Sequence, residues 1–221
     1  MGDLEAAGEI GVSEDSFPGS PATIQVSDGR SEASNASGSP SDQRAIMVSF
    51  RLMEAAMNII DLDDKHFDIC CCCLEDWSDE IKEAGPHRAD WIRHMKERGL
   101  GVKLAVEGDK TLGMIQYVPI EQSFAEGRDA HFIHCIWVHG HKNKGVGDQR
   151  KKGIGKALLA AAEEDAKRRG AKSMVAWGAA LPFWMKASWF RKHGYQKADK
   201  IGIQALVWKP FAADAEPPKW I

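Results

Sequence analysis

A basic, glycine-rich segment holds the residues of this 221-residue sequence that are best suited to chemistry. Residues 139–152 contain five lysines and arginines and one acidic residue, Asp148. Gly153 and Gly155 follow, at the predicted start of a helix. Glycines let a phosphate approach the backbone closely, and the first turn of a helix offers unpaired N–H groups and partial positive charge. The segment therefore predicts a phosphate-binding loop.

Common nucleotide-binding motifs do not describe this loop. A Walker loop needs Gly-Lys followed by Ser or Thr, but Ala157 follows Gly155 and Lys156. A dinucleotide-binding fingerprint needs a third glycine, but Arg150 and Leu158 stand at that position after the two Gly-x-Gly pairs. The His-Glu-x-x-His metal motif and the Gly-x-Ser-x-Gly nucleophile motif are also missing from the sequence.

Strands and helices alternate on both sides of the loop, which predicts an α/β domain. The apolar residues 131–138 predict a strand before the loop, and residues 153–169 predict a helix after it that ends at Gly170. The other predicted elements are strands at 58–62, 102–107, 112–118, 172–177 and 201–208, and helices that begin at Lys65, Pro86 and Pro182.

Charge and composition divide the chain into segments. Residues 1–44 carry a net charge of −6 and are rich in Ser, Gly, Pro and acidic residues, which predicts a disordered acidic tail. Residues 45–56 suggest a short helix or linker, residues 57–211 the folded domain, and residues 212–221 a C-terminal tail. Residues 45–221 carry +3, which is too little basic charge to indicate a nucleic-acid partner.

The sequence also gives an expectation about the compartment. Its apolar runs are far shorter than the roughly 20 residues of a membrane-spanning helix, so no membrane partner is expected. The acidic first residues lack the apolar core of a secretory signal. We therefore expect a cytoplasmic protein with reduced thiols.

Three segments, in the same order along the chain, carry a resemblance to one family. Residues 150–155 (Arg-Lys-Lys-Gly-Ile-Gly) resemble the Arg/Gln-x-x-Gly-x-Gly/Ala segment of the GNAT superfamily of acyl-CoA N-acyltransferases. Residues 136–138 are similar to its cofactor strand, and residues 189–195 to its Phe-Tyr-x-Lys-x-Gly-Phe segment. The resemblance covers roughly residues 57–210 and is strongest to a branch often followed by a C-terminal extension module. It implies a GNAT-like mixed, mostly antiparallel central sheet flanked by helices.

The resemblance also implies an activity and a binding site. Acetyl-CoA would be the cosubstrate of an N-acetyltransferase, and an amine of a small molecule or a peptide would accept the acetyl group by direct transfer. A homodimer is one assembly that the resemblance permits. The residues implied in acetyl-CoA binding are Ile136, Trp137 and Val138 on the strand, and Arg150, Lys151, Lys152, Gly153, Ile154, Gly155 and Lys156 on the loop and helix.

Two departures from the family pattern leave alternatives open. The loop is longer than usual and holds a near-copy of the motif, residues 144–147, which offers a second possible cradle; we prefer the copy at Gly153 because a helix follows it directly. Phe190 stands where the family often has a tyrosine that acts as general acid. His134, on the cofactor strand, is the candidate catalytic base, with a core histidine as the alternative interpretation.

Two other functions remain open beside the acetyltransferase. Phe190 favours a non-catalytic acyl-CoA-binding regulatory module that kept the loop and lost the acid. The four consecutive cysteines from Cys70 to Cys73, with Cys135, suggest a thiol-based metal or redox sensor. Adjacent side chains point in different directions, however, so the run predicts no metal site and favours buried thiols.

Aromatic residues near the end of the domain are candidates for an acceptor pocket. Trp177, Trp184 and Trp189 would suit its walls, although core packing explains them equally well. Pro182 and Met185, with Trp184, mark the start of the late helix, where the acceptor site of the family often lies.

Overall fold

The computed structural model describes residues 56–179 and 185–221, and its largest element is a seven-stranded mixed sheet. The strands of this sheet are β1 (Asn58–Asp61), β2 (Gly101–Glu107), β3 (Lys110–Pro119), β5 (Ala130–Val138), β6 (Ser173–Ala179), β7 (Gln196–Ile201) and β8 (Gln204–Pro210). They lie in the order β1-β2-β3-β5-β6-β8-β7. Two short strands, β4 (Ala125–Glu126) and β9 (Lys219–Trp220), form a second sheet.

Helices cover both faces of the large sheet. Helices α1 (Phe67–Cys71) and α2 (Asp79–Glu97) pack on one face, where Cys70 and Ile92 join the same apolar core as Met114. Helix α3 (Ile154–Arg168) covers the other face, where Leu158 packs in a core with Ile133. The short helix α4 (Ala187–Lys192) contributes its buried residue, Phe190, to this second core. Because both faces are covered, β3 is buried along most of its length.

The observed architecture confirms the predicted fold class. Strands β5 and β6 run parallel and are connected through α3, whereas every other neighbouring pair in the large sheet is antiparallel. The hairpin of β2 and β3 and the long helix after the glycine-rich loop lie where the sequence pattern placed them.

Several predicted boundaries were wrong, each for a local reason. Pro86 does not open a helix: α2 begins seven residues earlier, where the Ser78 hydroxyl accepts a hydrogen bond from the Ile81 N–H, and Pro86 lies inside it. The predicted last strand at 201–208 begins only at Gln204, as β8, because Gly202 adopts a positive φ of 55° and turns the chain; the preceding strand β7 was not predicted.

Some predictions concern the two ends of the chain and the segment before α4. Residues 1–55 and 180–184, including Pro182 and Trp184, lie outside the described residues. The segment expected as a C-terminal tail returns to the domain, where β9 pairs with β4 and the Trp220 ring stacks on Phe124. Among the described residues, none of the helices has the length and apolar character that would be needed to cross a membrane.

A buried polar cluster joins α3 to the sheet. The Tyr117 hydroxyl donates a 2.6 Å hydrogen bond to the Asp165 carboxylate, and the Lys103 ammonium lies 3.6 Å from the same group. Burial alone would raise the pKa of Asp165, but the Tyr117 hydrogen bond and the nearby Arg169 charge lower it below its usual value. The Tyr117 ring is therefore fixed at both ends, by packing and by this hydrogen bond.

The fixed Tyr117 ring makes Gly101 a position where a side chain should be harmful. A Cβ at Gly101 would lie 2.3 Å from the Tyr117 ring, so we expect Gly101→Ala to lower the free energy of unfolding by about 1–3 kcal/mol. As the control, Gly85→Ala within α2 would meet nothing closer than the Cys72 sulfur at 3.8 Å. We expect that variant to gain about 0.5–1 kcal/mol. Urea unfolding of the three proteins tests this, and equal loss in both variants would contradict it.

Candidate active site

The parallel strands β5 and β6 separate part-way along their length. They pair only from Ala130 opposite Ser173 to Ile133 opposite Ala176. The next residue, His134, is an extra residue in β5, because the pairing with β3 passes from Ile133 directly to Cys135. Beyond this bulge the end of β5 has no strand beside it on the β6 side, although the Trp177 indole N–H reaches the His134 carbonyl at 3.3 Å.

The open edge of β5 presents backbone groups to the gap. The His139 N–H donates to the Leu112 carbonyl of the β3 side at 3.0 Å. Because neighbouring residues of a strand turn their N–H and C=O groups in opposite directions, those of Ile136 and Val138 turn away from β3 and toward the gap. An extended ligand could pair with them as a strand would.

A cleft of about 960 Å³ lies beside this gap, on the α3 face of the sheet. Its walls combine apolar side chains with several positively charged side chains. The residues that line it are Ile136, Val138, Lys142, Asp148, Gln149, Arg150, Lys151, Gly153, Ile154, Gly155, Lys156, Met185, Lys186, Trp189, Phe190 and His193.

The first turn of α3 opens into this cleft. Gly153 precedes the helix in the left-handed conformation, with φ of 84°, and no side chain caps the helix. A Cβ at Gly153 would have no atom within 4 Å, so the space in front of the helix is open. The Gly153 carbonyl accepts from the Ala157 N–H, and the N–H groups of the preceding first-turn residues have no partner within the helix. These groups and the helix dipole favour an anion in the cleft.

A second cavity, of about 300 Å³, lies on the other face of the sheet. Its lining includes His134 and the next residue of β5, Cys135, whereas Ile136 already belongs to the cleft. The complete lining is Cys70, Cys73, Arg88, Trp91, Ile92, Gln116, His134, Cys135 and Trp177. The cleft and this cavity, which we call the β5 cavity, therefore meet at adjacent residues where β5 and β6 part.

Comparison with known proteins identifies the family. A family model described as the Acetyltransferase (GNAT) family matches residues 62–195, more than half of the chain. The chain belongs to this family. No protein with a curated description matches it.

Solved structures of GNAT enzymes share the fold at low sequence identity. The PaiA N-acetyltransferase of Thermoplasma acidophilum in complex with coenzyme A is 16% identical, with a TM-score of 0.52 over 70% of this chain and 99% of that one. Aminoglycoside 6'-acetyltransferase type Ii is 18% identical, with a TM-score of 0.52 over 71% and 98%. A Brucella melitensis GNAT acetyltransferase in complex with acetyl-CoA is 17% identical, with a TM-score of 0.50 over 73% and 92%.

The structure brings most of the residues predicted to bind acetyl-CoA to the cleft. Two of them, Trp137 and Lys152, do not line it. Trp137 points to the opposite face of β5 and packs against the core beneath α1 and α2. The Lys152 ammonium donates to the Gln149 amide oxygen at 2.9 Å.

The two copies of the glycine motif lie in different places. Gly153 and Gly155 line the cleft, whereas Gly145 lines a separate pocket beside α1. A Cβ at Gly145 would lie 2.6 Å from the Trp77 ring and 2.8 Å from His139. The close packing at Gly145 therefore explains its glycine, and the copy that begins α3 has the open space that a ligand needs.

Arg150 is paired before any ligand arrives. Its guanidinium donates two hydrogen bonds to the Asp148 carboxylate, at 2.9 and 2.8 Å. These hydrogen bonds hold the pKa of Asp148 well below its usual range, so that the carboxylate stays charged. The sequence predicted Arg150 as a source of positive charge, but Asp148 offsets that charge at the edge of the cleft.

His134, the candidate base, lies in the β5 cavity and not in the cleft. Its ring packs edge-on against Trp91, Phe124 and Phe132 at centroid distances of 5.6–5.8 Å. Burial lowers its pKa, and a hydrogen bond with the Gln122 backbone only partly opposes the shift. The Nε2 atom is buried and has no hydrogen-bond partner among the described residues. A neutral imidazole with a free nitrogen can accept a proton.

The thiols have the properties of buried side chains. Burial raises the pKa of Cys70 and of Cys135 to about 12, and it also raises the pKa of Cys73. These thiols therefore stay protonated, whereas metal ligands and nucleophiles are thiolates. Within residues 56–179 and 185–221, no group of three or more His, Cys, Asp or Glu residues is arranged to hold a metal ion.

Neither tyrosine is placed to donate a proton in the cleft. Phe190 is fully buried where it borders the cleft. Tyr117 is held by Asp165 in the core, and Tyr195 is buried beside Glu163, so burial raises the pKa of both hydroxyls. Neither of them lines the cleft or the β5 cavity.

Sequence reasoning missed several residues that line the two spaces. Lys186 and His193 border the cleft, and Arg88 and Trp91 border the β5 cavity. Arg88, Trp91 and Ile92 have the three- and four-residue spacing of one helical face, a signal that was present in the sequence. Trp91 and Ile92 were predicted to share an apolar face with Met95, but the sequence did not indicate that Arg88 and Trp91 line a cavity with β5.

The Arg150–Asp148 pair predicts how the cleft responds to charge. We expect Asp148→Asn to strengthen binding of inorganic pyrophosphate about fivefold at low ionic strength, because it removes a nearby negative charge and keeps an oxygen for the Arg150 N–H. Glu164→Gln makes the same change of charge on α3 at a carboxylate that pairs with Lys167, outside the cleft lining. Calorimetric titration should show no change for this control, and equal affinity for Asp148→Asn would contradict the prediction.

Proposed function

We propose that residues 57–211 form an N-acetyltransferase domain that moves an acetyl group from acetyl-CoA directly to an amine. The observation that carries the proposal is the position of the open first turn of α3 beside the gap between β5 and β6. One side of the gap offers a cationic cleft, and the other offers a small cavity with an imidazole. Two substrates could therefore approach one point from opposite faces of the sheet.

The cleft suits coenzyme A in its chemistry. The free N–H groups at the start of α3, with Lys151 and Lys156 nearby, suit the pyrophosphate. The exposed backbone of Ile136 and Val138 suits the amide groups of the pantetheine arm, which would extend β5 as an added strand. The complexes of related GNAT enzymes with coenzyme A and acetyl-CoA support this assignment.

The chain's own groups can promote the transfer in two ways. The amine nitrogen attacks the thioester carbonyl carbon, and a backbone N–H in the gap stabilises the negative charge on the carbonyl oxygen. A base removes the proton that the amine must lose. The C–S bond then breaks, its electron pair leaves with sulfur, and protonation gives free coenzyme A and the N-acetylated product.

We assign the role of base to His134. Its pKa is lowered by burial, so the imidazole is neutral near pH 7, its Nε2 has no hydrogen-bond partner among the described residues, and the side chain lines the cavity where we place the amine. Cys135 is the competing candidate as a covalent nucleophile. A thiol with a pKa of about 12 holds almost no thiolate at neutral pH, which favours direct transfer.

A non-catalytic acyl-CoA-binding module is the second candidate function. Phe190 favours it, because this side chain borders the cleft and cannot protonate the leaving thiolate. The thiolate of coenzyme A can leave without a side chain that acts as general acid, because the solvent can protonate it. The two functions differ in one result: both bind acetyl-CoA, and only the enzyme acetylates an amine.

The two ends of α3 provide a matched test of the binding site. Gly153 and Gly170 have φ of 84° and 88°, and a Cβ at either position would meet nothing within 4 Å. Glutamate at each position therefore introduces the same backbone strain and the same charge. We expect Gly153→Glu to lower coenzyme A affinity at least about 100-fold by placing a carboxylate at the anion site.

Gly170→Glu should bind coenzyme A as the unmodified protein does. Isothermal calorimetry of the full chain and both variants gives the affinities, and circular dichroism verifies that both variants are folded. Equal loss of affinity at the two ends of the helix would argue against this binding site.

The role of His134 predicts a specific pH dependence. Deprotonation of a base raises kcat/KM, and because burial lowers the pKa of His134, the acidic limb should have its midpoint below pH 6.5. We expect His134→Gln to reduce kcat about 100-fold, to abolish that limb and to leave the affinity for acetyl-CoA unchanged.

His131→Gln is the control for this experiment. His131 lies on the same strand, is also buried and also has a lowered pKa, but its ring faces Tyr117 on the opposite side of the sheet. The acidic limb should persist in this variant. Its persistence in His134→Gln would rule His134 out as the base.

A further inference from the structure

We propose that the acceptor of this enzyme is a small amine that also carries a carboxylate, and that Arg88 binds that carboxylate. The inference rests on the proposed function, because it takes the β5 cavity as the place of the acceptor. It narrows the acceptor from any amine to one chemical class, the amino acids and their close analogues. Four properties of the cavity lead to it.

The first property is the charge of the cavity lining. Arg88 is the lining residue with a permanent charge, and no Asp or Glu lines the cavity. The three lining thiols stay protonated, because burial raises the pKa of Cys70, Cys73 and Cys135. His134 has a lowered pKa and is neutral near pH 7. The cavity therefore carries a net positive charge.

The second property is that Arg88 has no counter-ion. Within the described part of the chain its guanidinium contacts the Cys73 sulfur and lies 3.5 Å from the Cys71 carbonyl, and no ion pair joins it to an acidic side chain. Arg93, one turn and a half further along α2, is paired with Asp90. Partial burial of a guanidinium costs free energy when no carboxylate pairs with it. The carboxylate of a ligand would supply that partner through a bidentate hydrogen bond.

The third property is the arrangement of Arg88 and the base around one space. Arg88 lies one turn before Trp91 on α2, and the Trp91 ring packs on His134 with centroids 5.8 Å apart. The cavity thus has the guanidinium on its helix wall and the imidazole on its strand wall. An acceptor with its amine toward His134 and its carboxylate toward Arg88 satisfies both.

The fourth property is size. A volume of about 300 Å³ is at the small end of ligand pockets, which suits a molecule of amino-acid dimensions. Trp91 and Trp177 provide apolar walls for its side chain. A polycationic amine would instead need acidic partners and would be repelled by Arg88. The acceptor should therefore differ from that of the aminoglycoside acetyltransferase whose fold is similar.

Pairs of amines that differ only in the carboxylate test the proposal. The pairs are L-phenylalanine with 2-phenylethylamine, L-leucine with 3-methylbutylamine, and β-alanine with ethylamine; spermidine represents polycations. For the full chain we expect kcat/KM to be about 10- to 100-fold higher for the acid of at least one pair, and higher for that acid than for spermidine.

Two variants assign the preference to Arg88. Arg88→Met keeps the length of the side chain and removes its charge, and it should bring the ratio within each pair close to one, mainly through KM. Arg93→Met removes a charge from the same helix outside the cavity and should leave the ratio unchanged. A ratio near one in the unmodified protein, or an unchanged ratio in Arg88→Met, would overturn the proposal.

A binding experiment keeps the proposal testable if turnover is too slow to measure. The N-acetylated products of all three pairs, such as N-acetyl-L-phenylalanine and N-(2-phenylethyl)acetamide, are titrated by calorimetry into the full chain saturated with coenzyme A. We expect the acid of at least one pair to bind at least about 10-fold more tightly, and Arg88→Met to remove the difference. Equal affinities within every pair, or no binding of any of these compounds, would overturn it. Failure of the proposed function looks different, because then coenzyme A itself would not bind.

Discussion

The short parallel pairing of β5 with β6 is the constraint on which the rest of the site depends. Four residue pairs hold the two strands together, and the bulge at His134 then ends the contact. Beyond that point β6 remains in the sheet through β8, and β5 through β3, so that the gap opens inside a sheet that is otherwise continuous. The same divergence leaves room for the first turn of α3. The open backbone of β5, the start of α3, the cleft and the β5 cavity thus lie close together because β5 and β6 separate there.

The cleft and the β5 cavity differ in how the charges of their lining residues are balanced. The cleft holds lysines together with an Arg150 already neutralised by Asp148, which suits a large anion bound by many weak contacts. The β5 cavity holds one guanidinium that lacks a carboxylate, among thiols that burial keeps neutral. This contrast separates the roles of the two faces: one would bind a cosubstrate by its phosphates, and the other would select an acceptor by a single ionic group.

Both tyrosines of the chain are committed to structure, and this changes how the chemistry must be performed. Tyr117 joins the sheet to α3 through Asp165, and Tyr195 packs beneath α4 beside Glu163. Phe190 borders the cleft and cannot donate a proton, whereas His134 lines the β5 cavity and its Nε2 has no hydrogen-bond partner among the described residues. The enzyme would then rely on a base for the amine and on the intrinsic stability of a thiolate leaving group.

Residue types and spacing determined the fold class, the glycine-rich loop and its helix, because local periodicity and glycine placement act within one segment of chain. They determined the apolar strand before the loop, β5, for the same reason. They misplaced the start of α2, because the Ser78 cap and tertiary packing outweighed the usual signal of Pro86. Only the tertiary structure decided which glycine copy faces open space, that Asp148 neutralises Arg150, and that Arg88 and His134 share a cavity. The shared cavity depends on packing between α2 and β5, which are distant in the sequence, and no local pattern encodes such contacts.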